Sequence, residues 1–248
     1  LRNMYIRSKS LNRNINQSSN WIRFPFYHHV FNDEKLQFEN QLKYLKNYGE
    51  FISMTDACNM ISSNSIIDGR YFCLSFDDGF YNCYSNMMAI TSNLDIPVII
   101  YLPTNKIYKN FNTNSSALDL KLNKTKYEKI VPFLSWDNCL EMLKFNISFG
   151  SHTCNRINLA SSSPTEIEYE LAFSKSTIEA NLNIVCDHFA APWGRLNVNF
   201  DPTICSSISK KLGYKSFATT ERGKMSSGDN LFTLKRDHLL ANWSNYQL

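Results

Sequence analysis

The sequence lacks any hydrophobic run long enough to cross a membrane as a helix. It also lacks a CxxC pair. Its seven cysteines, Cys58, Cys73, Cys83, Cys139, Cys154, Cys186 and Cys205, are odd in number and irregular in spacing. That argues against a disulfide framework and against a zinc site built on cysteine. Several fall within apolar patterns, where a free thiol behaves as a small hydrophobe, so a reducing compartment is the simpler inference. No charged start, apolar stretch and small-residue cleavage site stands at the front. The expected setting is therefore the cytoplasm rather than the periplasm or the cell exterior. An excess of one charge sign is missing too. A net charge of +4 over 248 residues, spread along the chain, leaves no nucleic-acid footprint. Glycine is scarce while Asn, Ser, Lys and Ile abound, which we read as codon bias rather than function.

What remains is an ordinary soluble globular composition, with 43% apolar and 19% charged residues. Strand-like and helix-like stretches alternate along the whole chain, the pattern of a parallel sheet with crossover helices. Residues 1–20 are polar and basic and predict a loosely held arm. Residues 21–248 predict a single α/β barrel domain of about seven parallel strands. The expected strands are Trp21 to Val30, Phe51 to Ser53, Tyr71 to Phe76, Val98 to Leu102, Ile147 to Phe149, Ile184 to Ala190, Ser216 to Thr219 and Phe232 to Lys235. Between them, Asn32 can cap a helix reaching Tyr48 with Leu36, Leu42 and Leu45 inward and Gly49 past its end. Further helices are expected over 54–61, 81–92, 136–144 and 165–182, and from Asp201-Pro202 to Gly213. The clearest is 165–182, with Ser163 as cap, Pro164 at the first position and Ile167, Leu171, Ile178 and Leu182 as its buried stripe. The polar stretch 103–132 predicts a substrate-shaping insertion.

In a parallel barrel the functional residues stand at the carboxyl ends of the strands. Those ends carry Tyr27-His28-His29, Asp77-Asp78, His152, Pro192-Trp193 and, after the last strand, Arg236-Asp237-His238. His188 falls within a strand and belongs to the core. Adjacent carboxylates at the end of an apolar strand are costly unless a cation or a proton relieves them. Carboxylate and imidazole converging at strand ends form a mixed O/N site. It would suit zinc or another divalent first-row metal, with a second carboxylate to take a proton from bound water.

These residues also carry a resemblance. Ser75-Phe76-Asp77-Asp78-Gly79 resembles the first motif of the polysaccharide deacetylase family. His152-Thr153-Cys154-Asn155-Arg156 with Leu159 resembles the second, a His-(Ser/Thr)-x-x-His pattern followed by Leu. Phe189 to Gly194 resembles the third. Tyr27-His28-His29-Val30 resembles a first-strand segment of many members, and Leu234-Lys235-Arg236-Asp237-His238 resembles a late segment of capsule and O-antigen-type members. The matches follow family order. The resemblance implies a distorted (β/α) barrel and hydrolysis of an acyl group on an amino sugar or polysaccharide. It assigns Asp77 as general base, Asp78 and His152 as ligands of a divalent metal, zinc foremost, and His238 as the acid for the leaving amine. The Trp193 backbone N–H would join the metal in holding the oxyanion.

Two positions depart from the pattern. Arg156 stands where the second metal His belongs, and Arg does not ligate metals. Ala190 stands where many members place an Arg that orients the base; Arg156, Arg195 or Arg236 can substitute. A third metal ligand would have to come from His28 or His238. Three readings follow: an active deacylase with a rearranged metal site and Arg156 meeting a substrate anion, a metal-independent hydrolase on the same barrel, and a non-catalytic glycan-binding relative. His28 and Trp193 complete the expected substrate contacts, with Trp243 as a sugar-stacking platform and Trp136 as a packed helix-start residue. The expected partner is a carbohydrate, with no nucleic acid and no membrane span.

Overall fold

The structure is a computed structural model that describes residues 18–63, 65–108 and 131–248. Most of the expected arm, and residues 109–130 of the expected insertion, lie outside the described residues.

Parallel strands form two sheets. The small one has the order β1-β4-β3, from β1 (Trp21–Arg23), β3 (Glu50–Phe51) and β4 (Arg70–Phe72). The large one has seven strands in the order β10-β2-β5-β6-β7-β8-β9. These are β2 (Pro25–Tyr27), β5 (Leu74–Asp77), β6 (Val98–Leu102), β7 (Ile147–Ser151), β8 (His188–Ala190), β9 (Ser216–Ala218) and β10 (Asp237–His238). Every pairing between these strands is parallel. The large sheet curls into the expected distorted barrel. Leu234 bridges to Ala218 of β9, and Asp237 and His238 pair with Pro25 and Phe26 of β2. One short stretch of chain thus joins the two ends of the sheet.

The helices α1 (Lys35–Lys46), α2 (Met54–Ser62), α3 (Met88–Asn93), α4 (Trp136–Met142), α5 (Pro164–Leu182) and α6 (Pro202–Lys211) alternate with the strands. A π-helical turn over Cys83–Met87 leads into α3. Along β6 the strand period of two sorts the core. Ile99 and Tyr101 face inward with Phe24, Cys73, Ala190, Ala218 and Leu234, while Val98, Ile100 and Leu102 pack outward with Phe38, Leu42, Leu171 and Ile178 of the helices. On the same rule Leu74 and Phe76 of β5 face the outer layer. Ser75 and Asp77 are left on the other face, toward the barrel interior. Among the described residues no helix is long and apolar enough to cross a membrane.

Several expected elements shift. The first apolar run breaks at Phe24 and the third at Cys73, because each strand passes from the small sheet to the large one. The Cys73 N–H still donates to the Arg23 carbonyl across that step (2.9 Å). In α1 the buried stripe is Phe38, Gln41, Leu42 and Leu45, and Leu36 is 71% exposed. Leu42 and Leu45 face inward as expected, but Phe38 rather than Leu36 is the first anchor. It starts after Glu34 instead of Asn32. The last strand is Asp237–His238; the expected strand over Phe232 to Lys235 is a 3-10 turn, Leu231–Thr233, followed by extended chain. The stripe Ile167, Leu171, Ile178 and Leu182 of α5 is buried as expected, and Ser163 accepts the Glu166 N–H at its start. Trp136 is buried at the start of α4. All seven cysteines are free and buried.

Candidate active site

Parallel pairing puts every strand's carboxyl end on one rim of the barrel. His28 follows β2, Asp77 ends β5 with Asp78 after it, His152 follows β7, Trp193 lies just beyond β8, and His238 ends β10. Strand β5 ends sharply. Asp78 and Gly79 both adopt left-handed backbone, with φ of 72° and 62°. A short polar side chain and a glycine tolerate that conformation best. A Cβ on Gly79 would also stand 2.7 Å from a Leu102 methyl. The turn sends the two carboxylates to different partners.

Asp77 is paired with Arg236. Nη1 donates to Oδ1 at 2.7 Å and Nη2 to Oδ2 at 2.9 Å, a bidentate pair whose side chains are 4% and 0% exposed. Arg236 Nε donates to the Thr219 carbonyl (2.9 Å), and the guanidinium lies 4.2 Å from the centre of the Phe26 ring. Burial would raise the Asp77 pKa. The Arg236 charge and its hydrogen bonds, with His152 and His28 nearby, overcome this and hold the carboxyl well below the usual carboxylate range. Of Arg156, Arg195 and Arg236, it is Arg236 that grips Asp77.

Asp78 faces three groups. His152 Nε2 lies 3.5 Å from Oδ1 and His28 Nε2 lies 4.0 Å from Oδ2. Arg156 donates from Nε to Oδ1. His152 Nδ1 donates to the Ala190 carbonyl (2.7 Å), which fixes its orientation. Burial lowers the His152 pKa, against the opposing pull of Asp77 and Asp78.

The loop carrying Arg156 is held from below. Glu170 of α5, buried, accepts the backbone N–H groups of Cys154 (2.8 Å) and Asn155 (3.0 Å) and the Asn155 side chain (2.6 Å). Thr153 Oγ1 accepts the Arg156 N–H at 2.9 Å. Thr153 and Arg156 both have positive φ, 64° and 58°. Trp193, itself at φ 56°, places its half-exposed ring 4.9 Å from the Arg156 guanidinium. Nothing in the sequence marks Glu170, since an acidic residue on a helix reads there as a solvated face.

His238 packs against His28, edge to face at 5.1 Å between ring centres, and its Nε2 is buried without a hydrogen-bond partner. Burial and the neighbouring His28 bring its pKa down to about 4. His28, Asp77, Asp78, His152, Arg156, Trp193 and His238 therefore form one cluster. Trp243 does not join it: it packs partly buried against the core, and its carbonyl accepts the side-chain amides of Gln37 and Gln41 on α1.

The residues present do not fit a divalent metal held by the expected ligand set. Asp78 and His152 offer an oxygen and a nitrogen. The third position holds a guanidinium, which cannot ligate and which already takes the Asp78 oxygen facing His152. Among the described residues no group of three or more His, Cys, Asp or Glu side chains is placed to hold a metal ion.

Comparison with known proteins agrees with this architecture. The chain is 22% identical over 220 residues to the Bacillus subtilis (strain 168) protein YxkH, named for the polysaccharide deacetylases. That alignment covers 88% of this chain and 66% of YxkH, so the chain spans just under two thirds of that relative. A structure of the Streptococcus pyogenes deacetylase PplD in complex with acetate superposes with a TM-score of 0.70 at 23% identity, covering 93% of this chain and 96% of PplD. IcaB from Ammonifex degensii superposes with a TM-score of 0.74 at 17% identity, covering 92% and 98%. At these identities the structures establish the fold. The family model for polysaccharide deacetylase matches residues 67–217, more than half of the chain and the part that carries both aspartates, His152, Arg156 and Trp193; the chain belongs to the polysaccharide deacetylase family.

Proposed function

We propose that the rim cluster is a hydrolytic centre that removes an acyl group, acetyl foremost, from an amino sugar or polysaccharide. The observation that carries this reading is the sealed Asp77–Arg236 pair. It keeps a buried carboxylate ionised at the strand ends, with the imidazoles of His152 and His28 nearby. A binding protein gains nothing from holding such a charge.

In this reading a water gives a proton to Asp77 as its oxygen attacks the acyl carbon. The Trp193 backbone N–H, and the guanidinium of Arg156 above that ring, face the oxygen that becomes negative. The C–N bond breaks, and the nitrogen leaves with a proton from His238. The products are an amine and a carboxylic acid that ionises to the carboxylate; Asp77 loses its proton to solvent, and His238 takes one up again from solvent. Asp77 is a weak base, so it holds that proton only in passing. A site that lowers His238 to about 4 makes its imidazolium a strong donor, though a scarce one at neutral pH. His28, edge to face with His238, orients it.

The test is release of acetate, with matching appearance of free amine, from N-acetylated oligosaccharides and other acylated glycans. Asp77→Asn keeps the side-chain shape and should lower the rate by roughly 10²–10⁴-fold. Unchanged hydrolysis in that variant removes Asp77 as the base. Glycan binding without any release by the wild type leaves a binding protein instead.

A further inference from the structure

We infer that Arg156 is the fixed cation of this site, standing in place of a divalent metal, and that Asp78 is its anchor rather than a ligand. The inference deepens the deacylase reading above and rests on it for the identity of the group the cation faces.

The Asp78 side chain is 5% exposed, so an ionised carboxylate there requires a compensating charge. His152 donates its Nδ1–H to the Ala190 carbonyl, and its Nε2 stands 3.5 Å from Asp78 Oδ1, beyond ordinary hydrogen-bond length. The group in direct contact with Oδ1 is the Arg156 Nε–H, a permanent cation.

The surroundings hold the guanidinium in that position. Backbone at φ 58°, the Thr153 hydroxyl on the Arg156 N–H, and the Glu170 clamp on the two preceding residues fix the loop. The Trp193 ring covers the guanidinium from one side. Only one N–H is used on Asp78, and the side chain remains 27% exposed, so further donors are left for a substrate oxygen. A divalent ion entering between Asp78 and His152 would have to displace a bonded cation and then stand beside it. A planar guanidinium supplies directional N–H groups where a metal supplies an open coordination site. It can polarise an acyl oxygen, but it cannot acidify a bound water as a metal does. The site therefore depends on Asp77 for activating water.

Metal content of the purified chain tests this independently of turnover. The protein is prepared without chelator and without a metal-affinity step, then measured by elemental analysis and by calorimetric titration with zinc and with cobalt. The wild type should carry no stoichiometric metal and take up neither ion at this site. Arg156→His should acquire close to one equivalent of either, where the wild type acquires none. Its cobalt form should show the visible absorption of nitrogen and oxygen ligation, lost again when Asp78→Asn is added. The inference is overturned if the wild type holds one equivalent of metal that Asp78→Asn removes. That comparison needs only the wild type and one variant, should Arg156→His fail to fold. A metal-free wild type without deacylase activity supports the cation assignment while removing the reaction proposed above; a wild type that holds metal through Asp78 overturns it whether or not it turns over.

Discussion

Replacing Arg236 by Met removes the charge at Asp77 while keeping a stem of similar volume over Phe26. The pair is sealed, with Arg236 fully buried and two N–H···O bonds of 2.7 and 2.9 Å to the carboxylate. Removing one partner of such a pair leaves an uncompensated charge in a low-dielectric site, at a cost of about 3–5 kcal/mol. Loss of the Nε donor to the Thr219 carbonyl adds about 1 kcal/mol. Asp77→Asn strands the guanidinium in the same way. The double variant strands neither, so it should be more stable than the sum of the single costs allows, with a coupling of at least about 2 kcal/mol. Urea denaturation of all four proteins, followed by circular dichroism and tryptophan fluorescence, measures this, provided the two probes coincide. Without Arg236, burial raises the Asp77 pKa above its unfolded value. The folded state then binds the extra proton, and the cost of Arg236→Met should shrink as the pH falls from neutrality. Single costs under about 1 kcal/mol, or additivity within about 0.5 kcal/mol, would refute the view that this pair is a sealed electrostatic unit.

Two further outcomes are expected. His29, His188 and His238 are each lowered to about 4, by burial above all. As the pH falls from about 6.5 to about 4 the unfolded chain takes up protons that the folded one refuses, so stability drops across that window, by on the order of 3 kcal/mol for a deeply buried ring such as His188. Melting temperatures recorded across it should fall, and a flat profile would contradict the burial of these rings. Gly150→Ala should destabilise by about 1–3 kcal/mol, as its Cβ would stand 2.7 Å from both the His188 carbonyl and the Tyr101 ring, neither of which can yield easily; a neutral result in urea titration would show that β7 shifts to make room.

How much of this was legible depended on whether the signal was local. Asp77-Asp78-Gly79 is visible because two acids end an apolar run, and the motif spacing marks Arg156 as standing where a His is expected. Arg236 could be named only as one of three arginines, since its role is set by the register of β10 on β2 and by nothing within its own segment. The breaks at Phe24 and Cys73 were hidden because the residues stay apolar while the strand changes sheets. Leu36 misled for the opposite reason: its side chain suits a core, but the phase of α1 is set by Phe38, Leu42 and Leu45. Glu170 was invisible because its partners are backbone N–H groups of a distant loop, which no pattern of side chains records.

The stretch from Leu234 to His238 closes the sheet and also delivers Arg236 and His238 to residues fixed much earlier in the chain. The separation between Arg236 and Asp77 is 159 residues. A chain emerging from the ribosome exposes the segment of β5 long before the segment that carries its counter-charge is made. Until the last segment docks, Asp77 can remain only where water reaches it or where it carries a proton. Barrel closure and the pairing of Asp77 with its counter-charge thus come about together. A truncated or half-folded chain displays its carboxylates without the guanidinium that fixes Asp77 in place on the rim.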